Sequence, residues 1–290
     1  MIVKKKLFRH IYGPVPSRRL GRSLGIDLVP FKTCTYDCIY CQLGRTTNKT
    51  LRRKEYVPVE DILAELEQRL ARTDALDYIS LAGSGEPTLN SRIGELIPRI
   101  KGMTNVPVAV LTNGSLLWDA DVRNALTAAD LVLPSLDAGD SRHYRYVNRP
   151  HPKISFRRMI DGLAAFADLY KGEIWLEVFL LSGITGIRHE VEKIAAITRR
   201  IRLTRIQLNT VARPPAESYA GPLSKNELQA LKEIFPGEVD VIGGSKARAA
   251  GHRMPSAESV RDDIASMLSR RPCTASDVAR SLGIHGSEAM

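Results

Sequence analysis

Three cysteines, Cys34, Cys38 and Cys41, stand in the order C-T-Y-D-C-I-Y-C. Thiolates so closely spaced can hold three corners of a cubane [4Fe–4S] cluster and leave the fourth iron without a protein ligand. An open iron is a place for a substrate or cofactor to coordinate. Structural clusters and structural zinc sites instead close with a fourth protein ligand, so the spacing points to chemistry. The remaining cysteine, Cys273, lies more than two hundred residues further on. Two other readings stand beside the open cluster. Cys38 and Cys41 alone form a C-x-x-C that could serve as a redox pair, which would not require Cys34. Zinc would need a fourth ligand, and the neighbourhood offers only His10.

Further polar groups close successive apolar runs. Gly83-Ser84-Gly85-Glu86-Pro87 follows the run 78–82. A glycine-rich turn there lets a ligand approach the backbone, and its carbonyls with the Glu86 carboxylate suit an ammonium group. Taken alone, the same turn is an ordinary loop. Thr112-Asn113-Gly114 closes the next run and Ser135-Leu136-Asp137 the one after. With a strand period of two, Ser135 and Asp137 share a face, expected to look inward. Glu177 shares a face with Trp175 and Phe179, and Asn209 and Val211 end a later run. Residues 143–151, H-Y-R-Y-V-N-R-P-H, interleave aromatic and basic side chains, a mixture that stacks bases and contacts phosphates or forms an amphipathic loop. His10, His189, His252 and His285 lack metal-ligand spacing and read as surface residues. No Ser/His/Asp or Walker-type pattern offers a rival site.

The cysteine spacing, with aromatic Tyr40 just before the last thiol, resembles the signature of the radical S-adenosylmethionine (radical SAM) superfamily. The stretch G-P-V-P-S-R-R-L-G-R-S-L-G-I-D, from Gly13 to Asp27, resembles an uncharacterised subgroup distantly related to wyosine-type tRNA modification enzymes. The likeness covers about residues 10–215. It implies a [4Fe–4S] cluster on the three cysteines and S-adenosylmethionine on the fourth iron. One electron would split the sulfonium to give a 5′-deoxyadenosyl radical that abstracts hydrogen from a substrate. It further implies that Gly83, Ser84, Gly85 and Glu86 meet the amino group of the cofactor, with Ser84 standing where the family usually has glycine. Tyr40 and Asn209 would lie near the adenine, while Thr112, Asn113, Ser135 and Asp137 would line the pocket.

The elements that must position these residues alternate. Apolar runs at 26–29, 78–82, 106–111, 131–136, 174–181 and 205–209 are separated by amphipathic stretches at 58–72, 93–101, 119–128, 155–170 and 188–201. Continuously apolar strands between such helices predict an α/β fold with a parallel sheet covered by helices. An open doubly wound sheet and a barrel fit equally, and the resemblance selects an incomplete (β/α)6 barrel. In either case the site lies at the carboxyl ends of the strands. The expected organisation is a core over 1–215, an α/β extension and linker over 216–255, and a small helical appendage over 256–290. That appendage resembles a truncated winged helix, and it stops before a recognition helix, which argues against reading DNA.

The 290 residues are 43% hydrophobic and 26% charged, enough for a full core. No apolar run approaches the roughly 18 residues of a membrane span, and no apolar stretch follows the basic start as in a signal peptide. The expected location is the cytoplasm, which also suits an oxygen-sensitive metal site. Net charge is +10, and residues 1–54 carry thirteen Lys or Arg against Asp27 and Asp37. The bland reading is a solvated basic terminus. The sharper one is a surface around the cluster that meets a polyanion: an RNA substrate, or an acidic electron donor such as flavodoxin or ferredoxin. Two other purposes remain at this point, a protein activase of the glycyl-radical-activating type and a non-catalytic iron–sulfur sensor.

Overall fold

The computed structural model describes residues 8–242 apart from residue 74, together with positions 264, 275, 278 and 279. The chain opens with a hairpin: β1 (Ile11–Ser17) runs antiparallel to β2 (Gly21–Ile26). A short parallel pair, β3 (Thr33–Cys34) and β4 (Asn48–Lys49), ties together the two ends of the cysteine loop. Alternating units follow: α1 (Val59–Leu70), β5 (Tyr78–Leu81), α2 (Ile93–Met103), β6 (Val108–Thr112), α3 (Ala120–Ala125) and β7 (Leu131–Pro134). Then come α4 (Ser141–Val147), α5 (Phe156–Leu169), β8 (Glu173–Phe179), α6 (Arg188–Thr198), β9 (Arg205–Asn209), α7 (Lys225–Lys232) and β10 (Val239–Val241).

The main sheet has the order β1-β2-β5-β6-β7-β8-β9-β10, and every pairing after β1–β2 is parallel. A doubly wound sheet reverses its strand order at a switch point. Here spatial order follows chain order without reversal, as in a barrel, and the edges β1 and β10 do not join. The fold is the incomplete barrel that the resemblance implied.

Strand alternation divides the two faces. Ile79, Leu81, Val108, Val110, Val132, Leu176, Val178 and Leu208 enter one core with the buried stripes of the helices, including Ile62 and Leu66 of α1 and Leu163 and Phe166 of α5. Their neighbours Ser80, Leu111, Leu133, Glu177 and Asn209 line a single cavity on the opposite face. Residues from β1 to β9 reach that cavity, so the sheet curls around it. Side-chain caps fix several helix starts: Asp119 for α3, Ser155 for α5, and a Ser224–Glu227 capping box for α7.

Two expectations need correction. The first parallel strand is 21–26, earlier than the apolar run at 26–29, and it has an antiparallel partner. Residues 141–147 form a helix, where a loop was expected. As far as the segment after 215 is described, it holds the helix and strand expected of an α/β extension, α7 and β10; β10 pairs with β9, and Leu228, Leu231, Phe235 and Val239 join the main core. The winged-helix-like stretch lies outside the described residues, four isolated positions aside. No helix among the described residues is long and apolar enough to cross a membrane.

Candidate functional site

The cysteine loop leaves the carboxyl end of β2 and lies across the cavity, which Cys34, Cys38 and Cys41 all line. Its turns are internal, with Cys41 N donating to Cys38 O (3.1 Å) and Gly44 N to Cys41 O (3.0 Å). Its outer side is gripped by the end of α4: Asp37 N donates to Asn148 O (3.0 Å) and Ile39 N to Val147 O (2.9 Å). Tyr40 is pinned twice. Its ring stacks on Phe179 at 4.0 Å and 12°, and its hydroxyl donates to Asp137 Oδ2 at 2.5 Å.

Each sulfur faces one side-chain N–H donor, and each of these comes from a different part of the chain. Asn113 Nδ2 lies 3.5 Å from Cys34, Asn148 Nδ2 lies 3.5 Å from Cys38, and Lys32 Nζ lies 3.4 Å from Cys41. The Lys32 ammonium also donates to Gly44 O, and the side chain is 3% exposed. Burial, with Glu86 and Cys41 nearby, pushes the Cys34 thiol up to about 12. Burial and the Asp137 carboxylate push Cys38 up as well. Deprotonating such thiols needs a strong local cation, and binding iron supplies one. Three thiols lining one cavity, each with a side-chain donor suited to a ligating thiolate, fit an iron–sulfur cluster.

The glycine-rich turn after β5 locks onto this loop. An added Cβ on Gly85 would lie 1.9 Å from Thr33 O, and one on Gly83, at φ 111°, would lie 2.0 Å from Asp27 Oδ1. The close approach permits three backbone donations: Ser84 N to Asp27 Oδ1 (2.7 Å), Lys32 N to Ser84 O (2.7 Å) and Glu86 N to Thr33 O (3.1 Å). The Ser84 carbonyl is therefore already taken by the chain. Glu86 is buried, and burial raises its pKa. Its Oε1 accepts from Thr88 N, Thr88 Oγ1 and Thr112 Oγ1, while Oε2 accepts from Asn113 N (2.8 Å). A carboxylate has about four acceptor positions shared between its two oxygens, so Oε2 keeps capacity for a further donor.

Tyr40, Gly83, Ser84, Gly85, Glu86, Thr112, Asn113, Ser135 and Asn209 all border the one cavity, of about 390 Å³. This is within the size range of ligand sites. Asp137 does not line it. Its carboxylate lies behind Tyr40, accepting from Tyr40, Asn148 Nδ2 (2.7 Å) and Phe179 N (3.1 Å), and burial raises it to about 6. The 143–151 stretch is likewise absent from the lining, because it braces the cysteine loop from outside. Asp140, His143 and Glu190 gather within metal-ligand reach, but Lys193 Nζ already occupies the group, 2.9 Å from Asp140 and 2.8 Å from Glu190.

Sequence reasoning did not single out Lys32 or Asn148 as sulfur partners, and it took Arg19 as a surface charge. The β1–β2 turn instead tucks into the barrel. Leu20 packs against Ala109, Leu131 and Leu133, and Arg19 Nη1 meets Glu177 Oε2 at 2.9 Å. Asn209 Nδ2 donates to the other Glu177 oxygen at 2.8 Å. Although burial opposes it, these partners hold the Glu177 carboxyl below its usual range.

Comparison with known proteins agrees with this geometry. A family model described as Radical SAM superfamily matches residues 28–212. The UPF0026 protein of Methanocaldococcus jannaschii is 36% identical over 267 residues, covering 90% of this chain and 82% of that protein. A Brachyspira hyodysenteriae protein named GTPase Obg is 41% identical over 275 residues, 93% of this chain; the chain spans only 40% of that longer protein. Among solved structures, TYW1 with a lysine-pyruvate adduct superposes with a TM-score of 0.56 at 20% identity, over 77% of this chain and 74% of that one. Superfamily members generally use a [4Fe–4S] cluster and S-adenosylmethionine and need a reductant. With its three thiols at the mouth of an incomplete barrel, this chain belongs to the radical SAM superfamily.

Proposed function

We propose that this chain is an enzyme that reductively cleaves S-adenosylmethionine to a 5′-deoxyadenosyl radical for hydrogen abstraction from a nucleotide-like substrate. The carrying observation is the set of three sulfurs, each with its own donor, beside a Gly-Glu turn in one cavity. A [4Fe–4S] cluster supplies the one-electron chemistry when bound, with a low-potential donor such as flavodoxin or ferredoxin reducing it.

In this reading Cys34, Cys38 and Cys41 hold the cluster. Glu86, through the spare capacity of Oε2, and the Gly83 and Gly85 carbonyls receive the cofactor's ammonium group, with Ser84 holding the turn in place. Thr112, Asn113 and Ser135 border the pocket, and Tyr40, fixed by Phe179 and Asp137, supplies a rigid aromatic wall. The chain's contribution is orientation and exclusion of water. The resemblance of Gly13–Asp27 to a subgroup distantly related to wyosine-type tRNA modification enzymes, with the basic amino-terminal stretch, supports a nucleotide-like substrate. Residues 256–290 are proposed to form a small helical appendage, on the amphipathic spacing of Val260, Ile264 and Leu268 and the winged-helix-like stretch 272–282.

The test is anaerobic reconstitution followed by incubation with S-adenosylmethionine and dithionite. 5′-Deoxyadenosine should form, and Cys34→Ala, Cys38→Ala and Cys41→Ala should each abolish it. Wild-type protein that carries iron yet yields none would overturn the reading.

A further inference from the structure

Two of the three side chains that face the sulfurs are asparagines, and an amide has two ends of nearly equal shape. Turned one way it offers a ligating thiolate an N–H; turned the other way it offers a carbonyl that repels it. Whatever fixes the turn is therefore part of the site. For Asn113 the backbone does so. Ser115 N donates to Asn113 Oδ1 at 2.9 Å, which leaves Nδ2 to Thr35 Oγ1 (2.8 Å) and Cys34 (3.5 Å).

For Asn148 a side chain does so. Its main chain is held on both sides, its N donating to Tyr144 O and its O accepting from Asp37 N, each at 3.0 Å. What remains to be set is the direction of the amide. Nδ2 lies 2.7 Å from Asp137 Oδ2 and 3.5 Å from Cys38 Sγ, so one nitrogen spans the carboxylate and the sulfur. An ionised carboxylate accepts hydrogen bonds and donates none, so only the N–H end of the amide suits it. The second N–H then has Cys38 before it. Asp137 is 3% exposed, and both of its oxygens face donors: Phe179 N on Oδ1, Tyr40 Oη and Asn148 Nδ2 on Oδ2. Of the isosteric pair Asp and Asn, only Asp accepts at both ends.

We propose that Asp137 is a positioning residue for the metal centre, turning the Asn148 amide so that an N–H and not the carbonyl faces Cys38. The claim rests on the cluster reading above for what the sulfurs hold. It gives a carboxylate that does not border the cavity a task beyond holding Tyr40. Hydrogen bonds to the sulfurs help set a cluster's reduction potential, and an N–H there favours the more negative, reduced form.

Reduction potentials of anaerobically reconstituted wild type, Asn148→Ala, Asp137→Asn and the double variant form a double-mutant cycle. Asn148→Ala removes the N–H and should shift the potential downward. In Asp137→Asn the backbone Phe179 N–H takes the one accepting oxygen, so the new NH2 faces Asn148 and turns its carbonyl inward. Asn148→Ala should then shift the potential by less than about half as much, or upward. Loss of the buried charge is common to both Asp137→Asn proteins and cancels in this comparison. Equal shifts in the two backgrounds, or no shift on Asn148→Ala alone, overturn the proposal. Iron content reports whether each variant still carries the metal. Iron-free protein gives a second reading through the side-chain amide protons of Asn148, identified in nitrogen-correlated magnetic resonance by their loss in Asn148→Ala. They should move in Asp137→Asn while those of Asn113 stay, and an unmoved pair overturns the proposal. Wild-type protein that takes up no iron sinks the cluster reading, and these amide protons still decide the turn of Asn148.

Discussion

Lys32 shows how much one residue can be asked to do. Its backbone takes φ 61°, a conformation that costs a non-glycine residue about 1 kcal/mol or more, and its ammonium is buried beside Cys41. A buried cation persists only with partners, and here these are a sulfur and the Gly44 carbonyl. Positive charge next to a cluster favours the more negative, reduced form. Lys32→Met should therefore move the reduction potential of the loaded protein downward by tens of millivolts in a resonance-monitored titration. An unchanged potential would remove Lys32 from this role. Gly85 carries a steric argument instead. Gly85→Ala drives a methyl group into the Thr33 carbonyl, which should cost about 2 kcal/mol or more in thermal or denaturant unfolding. That Cys34, Cys38, Cys41 and Glu86 border one cavity could be anticipated from sequence, because the cysteines are closely spaced and the Gly-Glu turn closes an apolar strand. Asn148 could not, since its sulfur partner lies 110 positions away and only the fold unites them.

Among the elements, α4 is the one whose role reverses expectation. Its interleaved tyrosines and basic residues suggested either an amphipathic loop or one that contacts substrate, yet Tyr144 and Val147 are buried and its end supports the cysteine loop. Asp140 starts it, accepting from Arg142 N and His143 N at 2.9 Å, and pairs with Lys193 of α6. Although burial opposes it, the Lys193 and His143 bonds hold the Asp140 carboxyl well below its usual value. A depressed acid stabilises the fold above its unfolded pKa of about 3.9, and the contribution is lost as pH falls below that. Asp140→Ala should cost about 1 kcal/mol at neutral pH, and its deficit against wild type should shrink in acid-unfolding curves taken below pH of about 3.9. The six β/α units were legible because buried parallel strands read as unbroken apolar runs. The β1–β2 hairpin was not. Its prolines and glycines look like loop, although Pro14 is tolerated because β1 is an edge strand.

For the whole molecule, one cavity receives groups from both ends of the barrel, and net charge alone concealed this. Counting thirteen basic residues in 1–54 suggested an outer patch. The fold takes three of them to inner partners: Lys32 goes to the thiols, Arg19 to Glu177, and Arg53 to the Thr88 carbonyl. Composition cannot show that division, because it depends on which way a hairpin turns. The distant Cys273 provides a check at this scale. Cys273→Ala should leave iron content and the resonance spectrum of reconstituted protein unchanged, whereas a fourth thiolate ligand would make both fall.

The grip of α4 on the cysteine loop couples the thiols to the outer layer of the barrel. The main-chain bonds of Asp37 and Ile39 to Asn148 and Val147, with the doubly pinned Tyr40, hold the loop by contacts that involve no sulfur. A change that loosens the end of α4 is therefore transmitted to the thiols although it touches none of them.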